Sequence, residues 1–414
     1  MTPAFCLLIL IITVTGLQLV LASRQIRHVL RHRHQVPGRF AGRIGQDAHA
    51  KAADYTVAKA RLNMVSLLLE AAVALGFTLG GGIDWLSAQI AYLLQGSIAQ
   101  GLLLFAAVTV AGAVIDLPLT LYRTFVLEAR FGFNRITPVL FVSDQLKGMA
   151  LGVVVGTPLA AGVLWIMQAL GTHWWLYTWV AWLTFSVLAT LIYPTWIQPL
   201  FNTFKPLEDS ILRSRIEQLM TQCGFSASGL FVMDGSRRSA HGNAYFTGFG
   251  RTKRVVFFDT LLERLDADEV QAVLAHELGH FAHRHVLQRM GLIFGLSLAV
   301  LALLGVVSND PALRSGLGIP PEGAAALLVF ASLTLPYLLF PLQPLMSAWS
   351  RRHEFQADAY AARHAPAAAL ISALVKLFED NASTLTPDPL YAAIYASHPS
   401  ALTRIGRLDT LTNA

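Results

Sequence analysis

The sequence predicts a mainly α-helical, polytopic membrane protein with seven transmembrane helices and, on one side of the membrane, a polar region containing a small β-hairpin or sheet. Three observations predict it: an apolar composition, seven apolar runs of membrane-crossing length, and basic residues gathered in alternate loops. Of 414 residues, 54% are hydrophobic and 14% charged, with a mean hydropathy of +0.52. A soluble domain of this size cannot keep a wet surface with so few charges.

Crossing roughly 30 Å of hydrocarbon takes about 20 helical residues. Runs of that length cover approximately residues 3–22, 63–83, 101–121, 149–170, 174–197, 286–306 and 323–342. No Lys or Arg precedes the first run and a dense basic stretch follows it, the reverse of a secretory leader, so it reads as an uncleaved anchor. The fifth gathers Trp174, Trp175, Trp179 and Trp182 toward one end, suited either to the headgroup level or to packing against neighbours. Glu70 lies inside the second run, and an intramembrane carboxylate faces a polar interior rather than lipid. Cys6 sits within a span and Cys223 in a polar region, so the two support neither a disulfide framework nor a CxxC metal site.

Orientation follows from the loops. Arg24, Arg27, Arg31, Arg33, Arg39, Arg43, Lys51, Lys59 and Arg61 separate the first two spans, whereas residues 84–100 carry no Lys or Arg. Basic loops stay cytoplasmic. Alternation then places Arg123, Arg130, Arg135 and Lys147 inside, residues 171–173 outside, and the long polar segment after Ile197 inside. Spans six and seven cross out and back, so the C-terminal seventy residues rejoin that segment. The net charge of +6 is a topology signal, which excludes nucleic acid as a partner and leaves the lipid bilayer.

In that polar segment stands His276-Glu277-Leu278-Gly279-His280. With 13 His and at most 25 Glu in 414 residues, chance produces H-E-x-x-H only about 0.02 times. Asp266 and Glu269 form an N-terminal capping box, and Val270, Val273, Leu274, Leu278 and Phe281 repeat with helical period, so the motif lies on a helix. Positions i and i+4 share a helix face, and both imidazoles can therefore aim a nitrogen at one Zn²⁺, with Glu277 beside the attacking water as general base. The metal lowers the pKa of water to about 7 and polarises a scissile carbonyl, which is peptide-bond hydrolysis.

A catalytic zinc needs a third protein ligand, and Glu354, in the polar stretch just after the last span and on the correct side, is the best candidate. Asp358, one turn later, is suited to accept a hydrogen bond from a ligating histidine and fix its tautomer. His283 shares roughly the face of His280, which leaves an all-histidine site as the alternative. A peptide substrate is held extended at an exposed strand edge, and residues 243–248 fit, paired in a hairpin with 254–259 around Gly248 and Gly250. Near the C-terminus, His398 and Arg404 can donate to the oxyanion that develops on the attacked carbonyl.

The chain is thereby expected to be one structural unit, 1–414. Residues 1–197 hold spans one to five with basic loops, 198–285 the catalytic segment with the motif helix, 286–342 spans six and seven, and 343–414 the C-terminal catalytic segment with the third ligand.

Beyond the zinc residues the chain carries Tyr122-Arg123-Thr124-Phe125, Phe131-Gly132-Phe133-Asn134, Ile197-Gln198-Pro199-Leu200-Phe201-Asn202, Asn243-Ala244-Tyr245, Glu354-Phe355-Gln356-Ala357-Asp358 and His398-Pro399-Ser400. This set resembles the type I CAAX prenyl proteases, seven-span zinc endopeptidases, over nearly the whole chain. The resemblance implies one Zn²⁺ per chain, held by His276, His280 and Glu354, with Glu277 as base. It also implies that Asn243 and Ala244 bind substrate backbone, that His398 stabilises the transition state, and that Arg404 supports that neighbourhood. The implied partner is a peptide or protein substrate, prenylated in eukaryotic members, and the implied fold encloses a water-filled chamber with the zinc at its cytoplasmic end.

Chain compactness and an ending, Leu411-Thr412-Asn413-Ala414, without a retrieval signal favour a bacterial inner membrane over the endoplasmic reticulum. Three rival readings remain. A heat-shock-type quality-control zinc protease has fewer spans, and a metal transporter or inactive scaffold leaves Glu277 unexplained. An intramembrane-cleaving protease conflicts with the charges flanking the motif.

Overall fold

The computed structural model describes residues 2–225, 229–247, 254–320 and 323–412. Among them seven helices are long and apolar enough to cross a membrane: Pro3–Arg31, Gln46–Phe77, Ser97–Glu128, Pro138–Ala169, Gly171–Phe201, His285–Asn309 and Ala324–His364. Each overlaps one apolar run, but several extend well into polar sequence. The first two continue as an antiparallel pair beyond their apolar parts, clamped where both guanidinium arms of Arg33 reach Asp54 at 2.7 Å.

The second helix ends at Phe77, earlier than the apolar run, because Thr78 leaves helical geometry and Gly81 adopts a φ of +76°. Ile83 then opens a further short helix, Gly82–Leu93, where the sequence suggested a loop. Ile83 and Ile90, seven residues apart, both bury against the membrane bundle. Glu70 lines a cavity of about 290 Å³ together with Gln18, Ser66, Asp116 and Tyr337.

A four-stranded sheet sits beside the bundle in the order β1 (Phe204–Pro206), β2 (Gly229–Met233), β4 (Arg254–Phe258), β3 (Ala244–Thr247). β3 and β4 are antiparallel, with Ala244 opposite Phe257 and Thr247 opposite Arg254. β2 joins β4 in parallel, and neither β1 nor β2 shows in the sequence pattern, because strands of three and five residues carry little period. Gly248 and Gly250, expected at the hairpin turn, lie outside the described residues. Val255 and Phe257 of β4 are buried in a second core with Leu274 and Leu278 of the motif-bearing helix, and Val256 between them is buried as well.

That helix, Ala267–Ala282, carries the H-E-x-x-H motif and begins with both halves of a capping box, Asp266 with Glu269. The buried Glu269 carboxylate also accepts from Ser372 and Lys376, each at 2.6 Å, joining the motif helix to helix Ala367–Asp380. Against its other face lies Gln343–His364, the polar continuation of the seventh span beyond a tight turn at Phe340–Leu342. The approach is closest at Gly279, where a Cβ would stand 2.8 Å from Ala357 Cα.

Two ties fix this region to the spans. Arg238 grips Asp144 of the fourth span at 2.8 and 2.9 Å. Arg24 and Gln25 of the first span hold Asp388, by its carboxylate at 3.1 Å and its backbone N–H at 2.7 Å.

Candidate metal centre and cleft

His276 and His280 stand one turn apart on the motif helix, and Glu354 reaches them from the facing helix. The two Nε2 atoms are 3.3 Å apart. Glu354 Oε2 lies 3.5 Å from His276 Nε2, and its Oε1 lies 3.4 Å from His280 Nε2. All three donor atoms fall within 4.8 Å of one another. Glu354 is 4% exposed, and its Oε2 has no hydrogen-bond partner among the described residues. A buried carboxylate oxygen left without a donor is costly; two imidazoles and a carboxylate around one point are the donor set of a catalytic divalent metal.

Each imidazole is braced from behind. His276 Nδ1 is 2.9 Å from Asp358 Oδ1, and Asp358 in turn receives Nε and Nη2 of Arg404 at 2.9 and 2.5 Å. Since the carboxylate only accepts, His276 carries its proton on Nδ1 and turns the Nε2 lone pair to the metal position. Burial lowers the His276 imidazole, but hydrogen bonds to Asp358 and Glu354 outweigh it and carry the group up to about 9. Glu277 lies one residue on. Burial pushes its carboxyl above the ordinary carboxylate range, opposed by the neighbouring imidazoles.

Arg404 departs from the expectation that it contacts substrate. It is 6% exposed, its fork is matched by Asp358, and it meets the centre from behind, with Nη2 3.3 Å from His276 Nδ1 and Nη1 3.7 Å from Glu354 Oε2. A guanidinium paired in this way is a brace for the carboxylates, not an open donor in the cleft.

His280 has a brace that the sequence did not reveal. Its Nδ1 is 3.0 Å from His285 Nδ1, and His285 Nε2 is 2.9 Å from Gln356 Oε1. His285 also stacks on His353 with ring centroids 3.9 Å apart. It reaches this place because Arg284 takes a left-handed φ of 56°, turning the chain sharply into span six; residue spacing alone carries no sign of such a turn. His283 is exposed and stacks on His285, away from the three donors, so the all-histidine arrangement is not what forms.

On the open side, His398 Nε2 is 3.4 Å from Glu354 Oε1 with its side chain 63% exposed. Among the described residues β3 is an edge strand of the sheet. It leans on the motif helix through Phe246, whose ring meets Phe281, one residue past His280, at 5.2 Å. Asn243 passes its carbonyl to Phe258 N–H at 3.0 Å, and its side-chain Oδ1 accepts from Ala244 N–H at 2.9 Å. The Ala244 N–H is therefore directed away from β4 and held by a side chain that a competing strand can displace.

A helical membrane bundle that supplies a two-histidine, one-glutamate centre with an adjacent acid and a free strand edge defines an integral-membrane metalloendopeptidase. Residues 25–203 match the family model described as CAAX prenyl protease N-terminal, five membrane helices, and residues 206–412 match that of peptidase family M48. The chain is 35% identical over 387 residues to the CAAX prenyl protease 1 homolog of Arabidopsis thaliana, covering 90% of each. It is 36% identical over 329 residues to CAAX prenyl protease 1 of Saccharomyces cerevisiae, covering 76% of this chain and 73% of that one. The crystal structure of S. mikatae Ste24p overlays it with a TM-score of 0.91 at 31% identity, covering 99% of each chain. The chain belongs to the CAAX prenyl protease 1 family of M48 peptidases. That membership disfavours the heat-shock-type, transporter and scaffold readings.

Proposed function

We propose that the chain removes the C-terminal tripeptide of prenylated CAAX proteins at the cytoplasmic face of its membrane, using one Zn²⁺ held by His276, His280 and Glu354. The observation that carries this reading is the meeting of three donors within 4.8 Å beside a strand edge that is unpaired among the described residues. Zinc in that position supplies Lewis acidity to the scissile carbonyl and makes water a nucleophile near neutral pH.

The chain's own groups supply the rest. Glu277, whose carboxyl is raised by burial, takes the proton of the attacking water and hands it to the leaving amine. His398, exposed beside Glu354, donates to the carbonyl oxygen as charge develops on it. The substrate lies along β3 as an added strand; its carbonyl replaces Asn243 Oδ1 on the Ala244 N–H, freeing the Asn243 carboxamide to hold the next peptide unit. Asp358 keeps the His276 proton on Nδ1, and Arg404 holds Asp358 ionised.

The basic loop between the first two spans and the tie from Arg24 to Asp388 support a cytoplasmic site. The relatives named above are plant and fungal and lend no support to a bacterial membrane. The test is cleavage of a farnesylated CAAX peptide by detergent-purified protein, comparing wild type, Glu277→Ala and chelator-stripped wild type. Activity lost in both controls and restored to the stripped enzyme by zinc is expected. Wild type that holds zinc yet leaves the peptide intact removes the prenylated-substrate reading.

A further inference from the structure

A cavity of about 570 Å³ lies between the second and third spans and the C-terminal segment. Two cations line it, Lys59 and Arg123, and among the described residues neither has a carboxylate or hydrogen-bond acceptor as partner. Lys59 Nζ only lies over the Tyr55 ring, 4.8 Å from its centroid. The one acid in the described lining, Glu128, is already held by the Tyr55 hydroxyl at 2.7 and 3.0 Å, with His241 Nε2 at 3.9 Å. Both side chains are exposed, so their positive charge faces the open cavity and is free to meet an anion there.

The cavity adjoins the cleft through the chain on both sides. One wall, Asn381, is 2.9 Å from His241 Nδ1, and His241 stands two residues before Asn243. Another, Tyr395, stands three residues before His398. Three extended residues span about 10 Å, so a short peptide lying past the metal centre reaches into this space.

We infer that this cavity binds the free C-terminal carboxylate of the substrate, with Lys59 and Arg123 as its charge partners and Asn381 as a neutral contact. The inference rests on the proposed CAAX-type substrate and adds to it how the enzyme measures the distance from the scissile bond to the chain end. A site of this size takes three small residues, and a carboxylate is the one group that every such tail presents whatever its side chains.

The experiment compares a farnesylated peptide as its free acid and as its C-terminal amide, with wild type, Lys59→Met, Arg123→Met and the double variant. Wild type is expected to show a KM for the acid about tenfold or more below that for the amide, as the loss of charge-assisted hydrogen bonds requires. The double variant brings the two within about twofold, with kcat on the amide and zinc content unchanged, while Lys59→Arg keeps the preference. Equal KM values in wild type overturn the subsite while leaving the substrate reading intact, and that comparison holds even if a variant fails to fold. Cleavage of neither peptide overturns the substrate reading and the subsite with it. A double variant that keeps the acid preference but loses a co-purifying anionic lipid overturns the subsite in favour of a lipid headgroup.

Discussion

Replacing Asp358 by asparagine separates the metal centre from its brace while leaving all three donors in place. Asp358 is 1% exposed and Arg404 6%, and they meet through two hydrogen bonds of 2.9 and 2.5 Å. The neutral amide leaves the buried guanidinium with Glu354, 3.7 Å away, as its nearest carboxylate. Arg404 then pulls on a metal-donor oxygen, and the amide no longer favours the Nδ1–H tautomer of His276. Loss of such an outer partner costs about 10–100-fold in metal affinity, which is about 1.4–2.8 kcal/mol. Breaking a buried pair from one side costs about 3–5 kcal/mol of stability, the lower end applying here because Glu354 partly replaces the lost charge. Zinc affinity is read by competition with a chelating dye, and stability by thermal inactivation in detergent. Asp358→Asn combined with Arg404→Met removes the orphaned charge, so its stability loss is smaller than the sum of the two single losses. Zinc affinity within twofold of wild type in Asp358→Asn, or strict additivity in the double variant, refutes the brace.

Gly279→Ala places a methyl 2.8 Å from Ala357 Cα and 3.1 Å from Ala357 O. Backbone cannot yield there, so about 1–3 kcal/mol of stability is lost, together with zinc content, because Glu354 lies one turn before Ala357; a melting curve and metal analysis check both. Glu277→Gln keeps shape and donors, so the variant retains zinc while kcat/KM falls about 10²–10⁴-fold, measured on a fluorogenic peptide. In the zinc-free protein His276 sits at about 9, above its ordinary range. The free form therefore carries a proton that the zinc-bound form lacks, and zinc affinity falls as pH drops below that value. The change is up to about tenfold per unit from this group, and equal dissociation constants at pH 7 and pH 9 contradict it.

The number of spans was legible because about twenty consecutive apolar residues are a local property of the chain. Their ends were not, because the polar extensions are held by partners distant in sequence, as Arg33 is by Asp54 and Arg24 by Asp388. The pairing of His276 with His280 follows from helical period alone. Glu354 was reachable only through topology, by counting crossings until residues 343–414 returned to the side of residues 198–285. The strand edge is legible in residues 243–248 together with the β-branched and aromatic run at 254–259 that pairs with it, as β3 and β4 do. His285 and Gln356 were hidden because their contact depends on one left-handed residue at Arg284. For Arg404 the residue type suggested an anion in the cleft, whereas helix Ala401–Thr412 turns it onto Asp358.

Both helices that carry donors run directly into membrane spans. The motif helix passes through Arg284 into the span that begins at His285, five residues after His280. The Glu354 helix leaves the seventh span through a three-residue turn. The separation of imidazoles and carboxylate is therefore coupled to the packing of spans six and seven, and the backbone contact at Gly279 and Ala357 holds it from the polar side. The outer ties run to spans one and four, through Asp388 with Arg24 and Arg238 with Asp144, and add side-chain anchors to the sheet and C-terminal segment, whose chain connections run to spans five and seven. A metal centre anchored by spans and a substrate edge tied to spans by ion pairs keep register only while bundle and sheet hold together, and on that ground we propose that they form a single structural unit.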